Sequence, residues 1–400
     1  MTDTSNQEKT LTGDASAASP PQETADVSTV SEILTEPELT AVSPPRRVRV
    51  GWIAGRDTLE YYSRILKPLA IGLMDELVEV VIFCPQQAEA EDYPCPPLQV
   101  VRYGKLQWLI FQTHTLETLV EEVTSRKIET LHALEGCAAP LARDLAKAAG
   151  VNYLVSSYAP ADVRKIDGMN GRSAGILAAM QPVCDAIKER RVVATDKVHL
   201  LRPGVHQVRQ ATCFDKPSHS AVIIGGGSGM DVAAYDAMLR SFADLRTKHP
   251  DCAFFVLGGE AHESHLRMMA EKLHLRNDLT FVDRQPTWQL AGIFKAADIY
   301  VAPMPLLRLD MYALLALAAG IVVLSPSDDI NDFLIDDQTA IRYRSGNSAD
   351  LTRQLRKVLE DAKAAQALAD RALSYLRSHH SPAVMVSELA RIYRQAATVR

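Results

Sequence analysis

The sequence contains few cysteines, and their spacing does not suit a metal or redox site. Six cysteines are scattered over 400 residues without a C-x-x-C pair, and several lie in apolar segments such as Val80–Cys84. This pattern argues against a zinc site or a disulfide framework. We expect reduced, buried thiols and therefore a reducing compartment.

Long hydrophobic runs are also lacking. The longest, Tyr312–Leu324, is shorter than the roughly 20 residues that a bilayer-spanning helix needs, and Gly320 interrupts it. The chain begins Met-Thr-Asp-Thr, without the basic and apolar regions of a secretory signal. These absences predict a cytoplasmic protein without a transmembrane segment, for which a peripheral membrane contact stays open.

Runs of lysine and arginine are lacking too. The formal net charge is −6, but Met1–Pro45 holds eight acids and one lysine, so this segment carries −7 and the rest of the chain +1. A nearly neutral body lacks the electrostatic footprint of a nucleic-acid binder. Small molecules are therefore the favoured partners, and no nucleic acid is expected.

The first 45 residues have the composition of a disordered tail. They are rich in Ser, Thr, Ala, Pro and Glu and cannot bury enough apolar surface to offset the chain entropy lost on folding. Val27–Leu34 could form a short helix or a docking motif within this segment. We therefore expect an acidic tail or linker ahead of the folded part.

Beyond the tail, strand-length apolar segments alternate with helical patterns. The first series has strands at Val48–Ile53, Val78–Cys84, Gln99–Tyr103, Glu129–Ala133, Tyr153–Ser156 and Val198–Leu201, and helices at Tyr61–Leu73, Leu116–Ser125, Ala139–Ala149 and Val183–Arg190. Strands separated by helices indicate βαβ units and a parallel sheet. The strands lack polar alternation, as expected when helices cover both faces of a sheet.

A second series follows Pro217. Its strands are Ala221–Ile224, Cys252–Leu257, Leu279–Val282, Ile299–Ala302 and Ile321–Leu324, and its helices Val232–Lys248, Ser264–Leu273, Thr287–Ala296, Met311–Ala319 and Ile330–Leu334. Helical patterns at Ala349–Leu376, with a break, and at Pro382–Ala396 end the chain.

The two series predict an α/β protein with two doubly wound, Rossmann-like domains that face each other across a cleft. We place the first domain at residues 46–213, the second at 214–380 and a C-terminal helix, packed back on the first domain, at 381–400. The hinge is expected at Pro203–Lys216. Ligands bind beyond the carboxyl ends of the strands in such sheets, so the cleft is the expected site.

Five segments in order carry a family resemblance. They are Lys197–His206, Cys252–Gly259, Ile293–Pro303, Ala318–Val323 and Leu334–Ala340. Their order and spacing resemble those of the group 1 (family 4-like) glycosyltransferases, which have the GT-B fold. The Ala-Ala-Asp that precedes an apolar strand and a proline, within Ile293–Pro303, is the most specific match.

The resemblance implies a nucleotide diphosphate sugar bound mainly by the second domain and an acceptor bound by the first. It implies transfer of a hexose to a glycan or lipid acceptor with retention, without a metal or other cofactor. Two alternatives stay open. The chain could be a catalytically silent binding or assembly partner, or another two-domain enzyme such as a nucleotide-sugar epimerase.

The phosphate site that the resemblance implies has lost its cations. Relatives carry an arginine after the first strand of the second domain and a lysine shortly after it, and these positions hold Gly226 and Asp231 here. A loop of glycines could offer backbone N–H groups to a diphosphate instead, or form only a flexible turn. The loop consists of Gly225, Gly226, Gly227, Ser228 and Gly229.

The sugar site of relatives uses two glutamates eight positions apart, and counting back from Gly320 places them at Leu307 and Leu315. Leucine cannot accept hydrogen bonds from sugar hydroxyls. Arg308 and Asp310 are the nearest polar candidates to substitute, unless they belong only to a solvated loop. Arg284 occupies the loop that approaches the nucleotide base in relatives.

The first domain offers weaker candidates. Gly55 and Arg56 follow the first strand, where an acceptor or phosphate loop would lie. His132 and Glu135 end another strand, although a histidine there is as often a core residue. Tyr158 stands where many relatives carry a histidine. His132, Tyr158 and Asp310 are thus the catalytic candidates.

Overall fold

In the computed structural model, the described residues are 46–88, 99–104, 109–166, 169, 171–215, 220–227, 230–259, 262–275, 277–283, 285, 287–327 and 330–398. The predicted tail, residues 1–45, lies outside the described residues.

Seven strands of the described chain form one parallel sheet in the order β3-β2-β1-β4-β5-β6-β7. They are β1 (Val48–Ile53), β2 (Val78–Pro85), β3 (Gln99–Tyr103), β4 (Thr130–Ala133), β5 (Asn152–Ser157), β6 (Ser173–Ala178) and β7 (Val198–Leu200). The central strands are buried almost throughout, because helices cover both faces. A Cβ at Gly51 would lie 2.8 Å from the Leu131 side chain, so the neighbouring strand packs directly against this glycine.

The helices of this first domain connect successive strands. They are α1 (Arg56–Tyr61), α2 (Ser63–Asp75), α3 (Leu109–Ser125), α4 (Ala139–Ala149), α5 (Val163–Ile166) and α6 (Gln181–Arg190). Helix α4 ends at Gly150, whose φ of 74° is the left-handed conformation that commonly terminates helices.

The second domain is built in the same way on six parallel strands in the order β10-β9-β8-β11-β12-β13. Its strands are β8 (Val222–Gly226), β9 (Ala253–Leu257), β10 (Leu279–Val282), β11 (Ile299–Val301), β12 (Val322–Pro326) and β13 (Ile341–Tyr343). Its helices are α7 (Val232–Arg246), α8 (Glu263–Lys272), α9 (Thr287–Lys295), α10 (Met311–Ala318), α11 (Ser348–Glu360) and α12 (Ala362–His379), and the chain's last helix is α13 (Pro382–Thr398).

The two doubly wound sheets confirm the predicted fold class. Strands β6 and β13 were not predicted, since β6 contains Gly175 and alanines rather than a β-branched run, and β13 has only three residues. The predicted helix Ile330–Leu334 is wrong. Residues 332–333 form a turn, and the Asn331 side chain donates to the carbonyls of Leu306 and Arg308.

Helix α13 packs on the first domain. The Asn152 side-chain amide donates to the carbonyl of Ala396 in α13 at 2.8 Å. Arg394, also in α13, donates to the Glu76 carboxylate at 2.9 Å. Between the domains, Arg202 donates through both terminal nitrogens to the Asp332 carboxylate at 2.8 Å. Arg202, just before the predicted hinge, is thereby bonded to the second domain, and α13 is bonded to the first.

Two further expectations concern membrane-spanning helices and the cysteines. Over the described ranges, every helix falls short of the length and apolar character that crossing a membrane requires. Cys84, Cys184 and Cys213 are buried free thiols, as expected. Cys137 corrects the expectation because it is exposed at the start of a short turn before α4.

Candidate functional site

A cavity of about 400 Å³ lies between the two domains, at the carboxyl ends of the strands of the first sheet. The second domain contributes Leu306, Leu307 and Arg308 to its wall, and the first domain contributes mainly charged and aromatic side chains. Those with a role below are Glu135, Asp162, Lys165, Tyr61, Tyr62 and Tyr158.

A larger cavity, of about 640 Å³, lies elsewhere. It is lined by Arg47, Arg49 and Gln99 at the amino ends of β1 and β3. Parallel α/β sheets bind ligands at the carboxyl ends of their strands, and the arginines there are ion-paired with Glu79. The interdomain cavity is therefore the better candidate site despite its smaller volume.

Two carboxylates are built into the first-domain wall of the cavity. Glu135 accepts a hydrogen bond from the Gly55 N–H at 3.1 Å, and a Cβ at Gly55 would lie only 2.8 Å from its carboxylate oxygen. Asp162 accepts from the N–H groups of Tyr158 and Ala159, both at 3.1 Å. Burial raises the pKa of Asp162 above its usual value. The glycine of the predicted acceptor loop therefore makes room for Glu135.

Arg56, the other residue predicted in this loop, is exposed in the first turn of α1. It lies outside the set of described residues that line the cavity. Lys165 is the first-domain cation at the cavity, 3.9 Å from the Asp162 carboxylate.

Tyr158 connects the cavity wall to the core. Its ring stacks on Tyr62 with a centroid distance of 4.0 Å. Burial raises the pKa of the Tyr158 hydroxyl, and the neighbouring Ser156 side chain partly offsets this. Ser156 in turn contacts His132 Nε2 at 2.9 Å, and His132 Nδ1 contacts the Tyr393 hydroxyl at 2.6 Å. His132 thus belongs to a hydrogen-bonded chain that ends at Ser156, next to Tyr158.

The direction of this chain follows from its inner end. The Trp52 indole can only donate, and it donates to the Tyr393 hydroxyl at 2.8 Å. Tyr393 must then donate its single proton to His132 Nδ1, which leaves Nε2–H to donate to Ser156. Burial lowers the pKa of His132 to about 3, so the ring is neutral. His132 is 2% exposed and therefore lies in the core.

The second-domain wall is a loop that contacts a first-domain tyrosine. The Arg308 guanidinium lies 4.1 Å from the centre of the Tyr61 ring, a cation–π contact. The Tyr61 hydroxyl donates to the Leu309 carbonyl and accepts from the Met311 N–H, both at 3.3 Å. Burial raises the pKa of Tyr61 above its usual value, and the carboxylate of Asp310 adds to this. Tyr61 is therefore a neutral donor and acceptor.

Asp310, the third catalytic candidate, anchors this loop. Its side chain accepts from the Ala313 N–H at 3.0 Å as the N-cap of α10, and its own N–H donates to the Asn331 side chain at 2.8 Å. It is 2% exposed. Such caps contribute about 1 kcal/mol to a helix, so Asp310 has a defined structural role next to the cavity.

The two leucines that replace the glutamate pair are in different environments. Leu307 is 72% exposed at the rim of the cavity, whereas Leu315 is 3% exposed inside α10. One position therefore faces the expected sugar site with an apolar side chain, and the other belongs to the core.

The described part of the glycine loop, Gly225 to Gly227, is more constrained than a flexible turn. Gly226 has φ 113°, and a Cβ there would lie 2.3 Å from the Leu257 carbonyl oxygen. The Gly227 N–H already donates to that carbonyl at 3.2 Å. A Cβ at Gly225 would meet the Met238 sulfur at 2.2 Å. Of the predicted donor residues, Ser228, Gly229 and Arg284 lie outside the described residues.

Asp231, at the position of the lysine of relatives, is the N-cap of α7. Its carboxylate accepts from the Ala234 N–H at 2.8 Å. A capping aspartate explains the residue without a phosphate, because it satisfies an N–H group that the helix leaves free.

Tyrosines separate the cavity from the glycine loop. The Tyr300 hydroxyl donates to the Gly226 carbonyl at 2.8 Å, and the Tyr312 ring lies within 3.8 Å of the Cβ position of Gly227. Tyr312 in turn lies 6.4 Å from Tyr61, centroid to centroid. The sequence analysis did not single out these three residues, since single tyrosines inside strands and helices carry no distinguishing pattern.

Comparisons with known proteins agree with this architecture. Residues 215–374 match the sequence model of the family described as Glycosyl transferases group 1. A D-inositol 3-phosphate glycosyltransferase of Corynebacterium kroppenstedtii is 27% identical over 188 residues, which are 45% of this chain and 42% of that protein. The chain thus aligns with less than half the length of this curated relative.

Solved structures match over nearly the whole described chain. A glycosyltransferase of Rickettsia africae superposes with a TM-score of 0.71 at 12% identity, covering 88% of this chain and all of that one. HepE of Anabaena, solved in complex with UDP-glucose, gives a TM-score of 0.71 at 11% identity over 87% of this chain and all of that one. The described part of the chain has the GT-B fold, and residues 215–374 of its second domain match the group 1 glycosyltransferase model.

Proposed function

We propose that this protein transfers a hexose from a nucleotide diphosphate sugar to a glycan or lipid acceptor, with retention and without a cofactor. The observation that carries the proposal is the interdomain cavity, whose wall combines carboxylates, a lysine and aromatic rings of the first domain with Arg308 of the second. Its volume of about 400 Å³ lies within the range of roughly 300–1,000 Å³ that is usual for small-molecule sites.

The side chains suit the parts of such a substrate. Glu135 and Asp162 can accept hydrogen bonds from sugar hydroxyls, and the Tyr62–Tyr158 pair offers an aromatic surface. Arg308 is the cation on the second-domain wall, and its planar fork matches the oxygens of a phosphate. In this proposal Arg308 takes over the stabilisation of the departing diphosphate, the task of the cations missing at Gly226 and Asp231.

A second candidate function is a binding or assembly role without catalysis. The leucines at positions 307 and 315 and the engaged N–H group of Gly227 favour it, because none of them offers a free hydrogen-bonding group to a nucleotide sugar. Such a protein would keep the cleft as a scaffold and bind a nucleotide sugar weakly or not at all.

Calorimetry of the purified protein with UDP-, GDP- and ADP-glucose separates the two functions. We expect binding of one donor, weakened about ten- to a hundredfold in Arg308→Gln, because a charge-assisted hydrogen bond contributes about 1.5–3 kcal/mol. Arg240→Gln is the matched control, since Arg240 pairs with Asp236 on an exposed face of α7. Absence of heat with every donor at millimolar concentration contradicts the transferase.

A further inference from the structure

Tyr61 stands out because the first domain inserts it into the second. It is the last residue of α1, yet it is only 4% exposed. Its ring lies under the Arg308 guanidinium and packs edge-on against Tyr62 at 4.9 Å. A side chain from one domain is therefore buried in the loop of the other that precedes α10.

The Tyr61 hydroxyl accepts a hydrogen bond from a backbone N–H that a ligand could otherwise use. The first N–H groups of a helix have no partner within the helix, and they commonly bind oxygens of anions and substrates. In α10, Asp310 accepts from the Ala313 N–H and Tyr61 accepts from the Met311 N–H. Tyr61 thus supplies from the first domain an oxygen that a bound sugar or phosphate would supply.

Further hydrogen bonds hold the same edge of the cleft together. The Leu309 N–H donates to the Tyr158 carbonyl at 2.8 Å, and the Ser63 and Thr287 hydroxyls lie 2.7 Å apart. These contacts join α2 and β5 of the first domain to α9 and the loop before α10 of the second. They fix the arrangement in which Tyr61 stays inserted.

Removal of the Tyr61 side chain would enlarge the cavity toward Tyr312. Tyr61 itself lines the cavity, and Tyr312 behind it lies between Tyr61 and Gly227.

We propose that Tyr61 is an intramolecular occupant of the donor side of the cleft, which a nucleotide sugar displaces when the domains move apart. This regulation rests on the proposed function, since it concerns the same site. A ligand whose binding-competent state is only partly populated binds more weakly by that fraction. Tyr61 therefore lowers donor affinity in the resting protein.

The test compares wild type, Tyr61→Phe and Tyr61→Ala by calorimetry with UDP and by small-angle X-ray scattering without ligand. We expect Tyr61→Ala to bind UDP about tenfold or more tightly and to show a larger radius of gyration, because the loss of its hydrogen bonds favours the open state. Tyr61→Phe keeps the ring, so its UDP affinity and radius of gyration should lie between those of wild type and Tyr61→Ala. Tyr375→Phe, in α12, controls for loss of a tyrosine hydroxyl elsewhere.

Either equal UDP affinity or an equal radius of gyration in wild type and Tyr61→Ala would overturn the proposal. If every variant fails to bind any nucleotide, the transferase function is contradicted, and scattering then decides about Tyr61 alone. A larger radius in Tyr61→Ala supports its role in closure, and an unchanged radius refutes it.

Discussion

The buried hydrogen-bonded chain from Trp52 to Ser156 allows a quantitative prediction for Tyr393→Phe. The substitution removes one oxygen and leaves the ring in place. That oxygen accepts from the Trp52 indole at 2.8 Å and donates to His132 Nδ1 at 2.6 Å. Both partners are fully or almost fully buried, so neither can turn to solvent.

The expected cost follows from the two groups left without a partner. An unsatisfied buried donor or acceptor costs about 1–3 kcal/mol, so the loss of both partners should lower the free energy of unfolding by about 2–6 kcal/mol. A change of tautomer does not relieve the loss, since a proton on His132 Nδ1 would again lack an acceptor. The vacated volume is that of one oxygen, too small for a water with several partners.

Urea unfolding followed by circular dichroism measures this difference. The midpoint should fall while the slope with urea stays unchanged, because the surface exposed on unfolding is the same. Tyr375→Phe is the control and should change stability by less than about 0.5 kcal/mol, since the Tyr375 ring stacks on exposed His379. A loss below about 1 kcal/mol in Tyr393→Phe would refute the account of the chain.

Three further outcomes are expected. Gly226→Arg, which restores the residue of relatives, should destabilise the protein by about 2 kcal/mol or more in thermal unfolding, because its Cβ would lie 2.3 Å from the Leu257 carbonyl; unchanged stability contradicts this. Gly55→Ala should displace Glu135 and weaken donor or acceptor binding in calorimetry, with little loss of stability. His132 has a pKa of about 3 when folded and 6.5 otherwise, so the unfolded state binds more protons between these values. Stability should therefore fall as the pH drops from 7 toward 3, less so in His132→Gln.

Much of the fold could be predicted from the sequence because buried parallel strands are continuous apolar segments. Val48–Ile53 and Gln99–Tyr103 were predicted with the bounds that the structure has. β6 could not be, because its glycine and alanines carry little strand preference and its burial comes from neighbouring strands. The predicted helix at Ile330–Leu334 failed because the Asn331 side chain bonds to a loop over 20 residues away.

The site was predictable only in outline. The family pattern indicates which positions face the cleft, and Arg308 does line the cavity. It does not reveal what satisfies each polar group. The partner of His132 lies 261 residues away at Tyr393, and the oxygen that caps the Met311 N–H comes from Tyr61 in the other domain. Such contacts depend on how the two domains meet, which no local pattern encodes.

The central claim is that the interdomain cavity binds a nucleotide diphosphate sugar with Arg308 at the phosphates. The most direct measurement is a crystal structure of the full chain grown with millimolar UDP-glucose, or with the donor that gives heat in calorimetry. The account predicts a diphosphate within hydrogen-bond distance of the Arg308 guanidinium, with Tyr61 withdrawn from the Met311 N–H. A nucleotide bound elsewhere, or a cleft that stays closed around Tyr61 with no ligand, would contradict it.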